Sequence, residues 1–514
     1  MTVLLMLILA ELAAILYLNS GVFIFTLDDP YIHLALAENI FRGHYGVNLS
    51  EYSAPSSSIF WPFLITPIAG LGFSAYAVLL LNAIAAFGAL FVFWKAFTPS
   101  ESQGRDTTFI FGMLTLFSIL AANMVGLIYT GMEHSVQLLL SLLILYGCIW
   151  EIEKRNVPIW LVAAIVLAPL IRYECLALAL PAIVFLFMRR HVKTASLTAA
   201  ALLVLIGTYF VFLQTLGLEP FPTSVMAKSE VVASGGALVS IAKNIVNNLT
   251  SDRGILLCVL VLILLFVAID KTRDNGVRLF ALLFAGSGFM HIVAGDYGWF
   301  YRYEIYMVAS LTMAVVYLFK DHIYSLRQRM GRLPMTGFAS AISFLLFATN
   351  YKALALTPLA ANNIYEQQYQ MHRFLSEHYN APVAVNDLGY VAYMNDEYVL
   401  DLWGLASVEA LKARKNTDQS TWMDELTKKH AVEFIMIYDD WFHNVPKEWV
   451  KLGELMLGKP KITPARDRVA FYATNCHTYV DIYAKLEMFV PTLPMGVRFE
   501  FWPYSCGGSA GKAE

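Results

Sequence analysis

The sequence predicts a polytopic α-helical membrane protein of about eleven transmembrane helices, with a soluble α/β domain at its C-terminal end. Three observations lead there. Of the 514 residues, 58% are hydrophobic and 15% charged, at a mean hydropathy of +0.57, too apolar a balance for a water-soluble globule of this size. Apolar windows of roughly 20 residues, the length that spans a bilayer, recur from the first residues to about residue 350. Beyond that point charged and polar residues are spread throughout, and the apolar runs shorten to strand length.

The windows centre on residues 4–26, 75–97, 107–128, 132–150, 194–216, 254–270, 277–293, 304–320 and 335–350. The first has no basic n-region and no clear cleavage site after Gly21, so it reads as an uncleaved span. The stretch 157–188 is long enough for two spans and is broken by Arg172, Tyr173 and Glu174, which suit a turn between two short helices better than a bilayer centre. Segment 59–73 is apolar but short and carries Pro62 and Pro67, which suggests a re-entrant or interfacial helix.

Charge orients these spans, because short cytoplasmic loops accumulate Lys and Arg. With the N-terminus inside and 59–73 not crossing, the inner loops hold fourteen basic residues: Lys95, Arg105, Lys154, Arg155, Arg189, Arg190, Lys193, Lys271, Arg273, Arg278, Lys320, Arg327, Arg329 and Arg332. The outer loops hold six, Arg42, Arg172, Lys228, Lys243, Arg253 and Arg302. Letting 59–73 cross would reverse that bias. The expected organisation is therefore a membrane module over 1–350, with a first outer loop at 28–58, and an extracytoplasmic α/β domain over 351–514. A formal net charge of −3 gives no basic field that would point to nucleic acid.

In the tail, Pro382–Val385 and Phe434–Tyr438 read as buried strands and 363–378 and 407–430 as helical. Cys476 and Cys506 lie in this polar region, where an oxidising compartment would join them in a disulfide, whereas Cys148, Cys175 and Cys258 fall in apolar stretches.

The first outer loop concentrates the chemistry. It begins Asp28-Asp29-Pro30-Tyr31-Ile32-His33, continues Ala37-Glu38-Asn39-Ile40 and Gly43-His44-Tyr45-Gly46, and then reaches Ser53-Ala54-Pro55-Ser56-Ser57. Two adjacent carboxylates at a membrane lip suit a general base or a metal ligand. The structural alternative is that Asp28 caps a helix from Pro30 to Phe41, with proline early and acid at the positive dipole end. The two roles are compatible.

These motifs resemble the first periplasmic loop of C-type (GT-C) membrane glycosyltransferases, most of all the bacterial terminal arabinofuranosyltransferase-like enzymes. The likeness continues in order: Thr130-Gly131-Met132-Glu133-His134, Ile171-Arg172-Tyr173-Glu174, Thr223 to Lys228, Ala294-Gly295-Asp296-Tyr297 with Arg302, and in the tail Val385-Asn386-Asp387-Leu388-Gly389 and Asp401-Leu402-Trp403-Gly404-Leu405. Tyr173 stands where that family usually has proline, and Ala294 where the nearer relatives often have glycine.

The resemblance implies an inverting transfer of a sugar, arabinofuranose-like, from a polyprenyl-phosphate carrier to a cell-surface glycan, in a bacterial inner membrane with the tail periplasmic. Asp28 is the expected base with Asp29 second, Lys228 and Arg302 hold the leaving phosphate, and His44 serves either purpose. Glu133, His134, Arg172, Glu174, Asp296 and Tyr303 complete the expected substrate site. Arg172 and Glu174 can also be read as a structural pair, and Asp401-Leu-Trp-Gly-Leu as a structural turn. A divalent cation, Mg or Mn, on Asp28 and Asp29 is left open, since some C-type enzymes use one. A protein O-mannosyltransferase-like enzyme and a lipid or glycan flippase are the alternatives, the latter disfavoured because the charges gather at one lip and not around paired repeats.

Overall fold

The computed structural model describes residues 1–70, 72–97, 105–220, 222–223, 245–298, 300, 302–416, 421–442 and 444–503. Six described helices are long and apolar enough to cross a membrane: Ser74–Phe97, His134–Lys154, Val192–Thr215, Asp252–Ile269, Asn275–Ala294 and the continuous stretch Arg332–Tyr379. Five shorter apolar helices, Thr2–Leu18, Gly112–Ala121, Ile159–Ile171, Tyr173–Met188 and Ile305–Leu318, fall in the remaining predicted windows. The expected figure of about eleven is thus met by length in six.

The break in 157–188 is where the polar cluster stands: one helix ends at Ile171, a single 3-10 turn covers Tyr173–Cys175, and the next helix starts at Leu176. Segment 59–73 forms a helix of nine residues, Trp61–Ala69, about 14 Å long and too short to span. Helix His134–Lys154 packs against Ser74–Phe97, Ile159–Ile171 and Ile305–Leu318, so it runs through the bundle interior.

The two ends of this bundle differ. At one end Glu151 bonds Arg189 and His191 at 2.8 and 3.0 Å, Lys320 lies 3.7 Å from Glu153, and Arg155 lies 3.9 Å from Asp274. These are loops in which the sequence concentrates basic residues. At the other end stand Glu133, Arg172 and the first outer loop.

Arg332–Tyr379 is 48 residues long, kinked at Phe347 and about 72 Å measured along its path. That is twice a bilayer core, and it carries the chain directly into the sheet domain, so the expected boundary at residue 351 falls inside a helix. Six strands follow: β1 Val383–Val385, β2 Val399–Asp401, β3 Phe434–Ile437, β4 Val450–Met456, β5 Arg468–Ala473 and β6 Arg498–Phe501. Their order is β2-β1-β3-β5-β4-β6, with β1 parallel to both β2 and β3 and the other pairings antiparallel.

Alternation along the strands separates two cores. Val383, Val385, Phe434 and Met436 face Phe374, Ile482 and Leu486, whereas Ala384, Ile435 and Ile437 face Ala410, Trp422 and Leu426. Ile32, Ala35 and Val47 of the first outer loop belong to the first of these cores. Asn48 extends the joint, its side chain donating to the Val399 carbonyl and accepting from the Val399 N–H, each at 2.9 Å, in the manner of one more strand residue. The first outer loop is therefore built into the sheet domain, and this places Asp28 and Asp29 between the two parts of the molecule.

Candidate functional site

Pro30 at the second helical position starts the helix Asp29–Phe41 directly after Asp28. The Asp28 side chain makes no capping bond to that helix. Instead its two oxygens accept the N–H groups of Gly389 at 2.7 Å and Tyr390 at 2.8 Å, across the domain joint. The approach demands glycine, because a Cβ at position 389 would lie 2.1 Å from the Asp28 carbonyl oxygen. Asp387, two residues earlier, is held by Gln368 Nε2 at 2.7 Å and the Tyr438 hydroxyl at 3.0 Å. Burial raises the proton affinity of both Asp28 and Asp387, and the repulsion of Asp387 raises that of Asp28 further. Two buried carboxyls in contact share one proton.

Asp29 is placed differently. Its side chain is 38% exposed and pairs with the buried guanidinium of Arg302. Arg302 lies over the Tyr303 ring at 4.9 Å and bonds its hydroxyl at 3.0 Å, and Arg172 lies over the same ring at 5.6 Å. Arg172 forks onto Glu174 at 2.6 and 3.1 Å and reaches Glu133 at 2.7 Å and Ser57 Oγ at 3.2 Å. The second oxygen of Glu133 is 4.0 Å from His33, whose other ring nitrogen meets Ser56 Oγ at 3.2 Å. Burial lowers the proton affinity of His33, against the pull of Glu133 and Asp29. The His134 ring stands 6.2 Å from Tyr303. Gly131, at φ +68, turns the chain so that Glu133 enters this cluster with Phe25 packed against the turn.

The cluster therefore unites Asp28, Asp29, Glu133, His134, Arg172, Glu174, Arg302 and Tyr303 from four separated stretches of sequence. Nε and Nη1 of Arg302 and one oxygen of Glu133 are buried and have no hydrogen-bond partner among the described residues. Such groups are uncommon in native interiors and call for a partner, which an ordered water, an ion or a ligand can supply. Beside Glu174 a cavity of about 370 Å³ runs between helices Leu176–Met188 and Asn275–Ala294. Leu180, Phe289 and Met290 line it and are also exposed on the apolar outer surface, so the cavity opens sideways.

Other expectations land elsewhere. His44 bonds the Glu51 carbonyl at 2.8 Å and stacks on Tyr52 at 4.7 Å, which makes it part of its own turn. Asp296 is exposed in the loop after helix Asn275–Ala294, and the neighbouring turn is held by Glu304, which accepts the Gly298 N–H at 3.0 Å. Lys228 lies outside the described residues, as does Cys506; Cys476 is disulfide-bonded, whereas Cys148, Cys175 and Cys258 are free. Asp401 accepts the N–H groups of Trp403 and Ala406 at 2.9 and 2.8 Å, which makes its motif a self-capped turn. Of the carboxylates named for a divalent cation, Asp28 accepts two N–H donors and Asp29 pairs with Arg302. Sequence reasoning missed Asp387, although its Asn-Asp-Leu-Gly motif is visible, and also His33, Ser56 and Ser57.

The family described as Domain of unknown function (DUF8728) matches residues 362–472, which begin in the long helix and end in β5. A search of the curated proteins returns no match. Among solved structures the chain is similar to the Archaeoglobus fulgidus oligosaccharyltransferase in complex with Zn and sulfate, at 11% identity and a TM-score of 0.48 over 94% of this chain and 77% of that one. It is also similar to ArnT from Cupriavidus metallidurans bound to undecaprenyl phosphate, at 12% identity and a TM-score of 0.43 over 91% of this chain and 97% of that one. Similarity at this level assigns no chemistry to the present chain.

Proposed function

We propose that this protein is an inverting glycosyltransferase that moves a sugar, arabinofuranose-like, from a polyprenyl-phosphate carrier to a glycan acceptor at the outer lip of a bacterial inner membrane. The observation that carries the reading is the Asp29–Arg302 pair: a partly exposed carboxylate in contact with a buried guanidinium that keeps two unpartnered nitrogens. A displacement of phosphate by a hydroxyl needs both. Asp29 takes the proton of the acceptor hydroxyl, and that oxygen attacks the anomeric carbon. The bond to the phosphate oxygen breaks on the opposite face, and the phosphate leaves with the electron pair toward Arg302, whose contact with Asp29 must open to admit the sugar between them. The sideways-opening apolar cavity suits a prenyl chain that stays in the lipid.

Asp28 is the residue the sequence favours as base, but it supports the site in another way. Both of its oxygens are committed to Gly389 and Tyr390 and it shares a proton with Asp387, so it fixes the start of the Asp29 helix. In release of polyprenyl phosphate from a polyprenyl-phosphate sugar by the purified protein, Asp29→Asn should lower the rate about 10²–10⁴-fold with donor affinity nearly unchanged. Asp28→Asn should lower it less. Release at the wild-type rate by Asp29→Asn would sink the assignment.

A further inference from the structure

A second cavity, of about 320 Å³, lies between Phe300 on one side and Trp441 with the 461–466 segment on the other. Each wall connects to a different carboxylate of the joint. Phe300 is two residues from Arg302, which bonds Asp29. Trp441 packs on the Tyr438 ring at 5.2 Å, and the Tyr438 hydroxyl bonds Asp387, which faces Asp28. The cavity thus lies between the segment leading to Arg302 and the sheet domain, and it shares no lining residue with the cavity at Glu174.

Its walls are built in advance. Asn363 accepts the Ile462 N–H at 2.6 Å and donates to the Pro460 carbonyl at 3.2 Å, and Gln367 donates to the Arg466 carbonyl at 3.1 Å, so the 461–466 segment is tied to the long helix. Trp403, outside the lining, packs against Trp441 at 4.7 Å. Phe300 is held at φ +63, a conformation that costs a non-glycine residue energy and collects at functional sites.

The lining chemistry selects a ligand class. Aromatic faces offer an apolar surface to the C–H face of a sugar, and a cavity near the lower end of the ~300–1,000 Å³ range holds a small ligand or a short piece of a larger one. Lys461 hydrogen-bonds only the Ala465 carbonyl, at 3.0 Å, and has no ion pair with a carboxylate among the described residues. Arg466 is paired with Asp440, but both are about half exposed, which makes that pair weak and exchangeable. The rim therefore carries a net positive charge.

We infer that this cavity is the acceptor subsite and that it takes an oligosaccharide bearing an anionic group, either a carboxylate or a phosphate; the inference rests on the transferase reading above. Binding to the full-length protein is measured by calorimetry with trigalacturonate and with neutral galactotriose. Trigalacturonate should bind in about the millimolar range or tighter, and galactotriose at least about tenfold more weakly. Lys461→Glu, a surface change, should weaken trigalacturonate about tenfold and leave galactotriose unaltered, whereas Trp441→Ala should weaken both. Equal binding of the two sugars, no binding of either, or an unchanged trigalacturonate affinity in Lys461→Glu would overturn the inference. Release of polyprenyl phosphate to water separates the two claims. Saccharide binding in a protein that releases none would end the transferase reading and leave the subsite standing, whereas normal release with no saccharide binding would end only the subsite.

Discussion

The two ends of helix His134–Lys154 carry the same three residue types in different states of completion. At one end Glu151 gives one oxygen to Arg189 and the other to His191, and every hydrogen bond that carboxylate needs is made. At the other end Glu133 gives one oxygen to Arg172, and its second oxygen has no hydrogen bond, with His33 at 4.0 Å. Seventeen or so residues of helix, about 27 Å, separate them. A closed network holds a structure together, and an open one at equal burial has a cost that a substrate hydroxyl would relieve. Composition cannot tell these ends apart, but the count of unmade bonds can.

Matched substitutions give the strongest test of that contrast. Glu133→Gln and Glu151→Gln are isosteric, and each removes one carboxylate charge from an Arg, buried Arg172 in the first case and partly buried Arg189 in the second. Glu151→Gln should cost stability, roughly 1–3 kcal/mol from the weakened charged bonds, and leave release of polyprenyl phosphate within about twofold of wild type. Glu133→Gln should lower release about 10–100-fold, because a charge-assisted bond to substrate is lost. Thermal unfolding and release rates measured on both proteins decide it. If Glu151→Gln lost the activity and Glu133→Gln kept it, the assignment of the two ends would have to be exchanged.

A smaller effect sharpens the open end. Arg302→Lys keeps the charge beside Asp29 but replaces a planar fork by a point donor, so the two unpartnered nitrogens lose their geometry. Release should fall roughly tenfold, with weaker donor binding contributing, since the phosphate is charged in the ground state as well. Unchanged kinetics would mean that those nitrogens do not meet the donor.

Much of this was legible in the sequence. Apolar windows gave the helices, the polar break at Arg172 to Glu174 gave the paired short helices, and the ordered motifs named eight residues that come together. What escaped depends on directions that local sequence does not encode. An Asp before Asp-Pro reads as a helix cap, but the N–H groups that bind Asp28 belong to residues 361 and 362 positions away. Asp387 was invisible as a partner for the same reason. His44 and Asp296 occupy motif positions, yet His44 bonds within its own turn and Asp296 is exposed. The long helix across residue 351 was split because hydropathy falls where the chain leaves the apolar bundle, although the backbone continues.

The smallest predicted effect concerns the joint that holds Asp28, and its sign follows from which way the two carboxyls are shifted. Burial raises both above the ordinary aspartate value of 3.8, with the charge of Asp387 adding to the shift of Asp28 and the charge of Asp29 to that of Asp387. An acid whose folded pKa is raised contributes stability that is complete below its unfolded pKa and is lost as pH rises toward the folded one. The other groups facing Asp28 do not reverse this: Asp29 adds negative charge, and burial keeps Tyr31 and Tyr438 neutral. Docking of the sheet domain on the first outer loop should therefore loosen over the interval above the ordinary aspartate value of 3.8 as pH rises. The Gly389 and Tyr390 amides report it directly, because they donate to Asp28. Their hydrogen-exchange protection, corrected for intrinsic rate, should fall over that interval, and Asp387→Asn should flatten the fall by removing one of the two titrating charges while keeping a partner for Tyr438. Protection that rises with pH, or a fall that Asp387→Asn leaves intact, would show that the shared proton does not hold the joint.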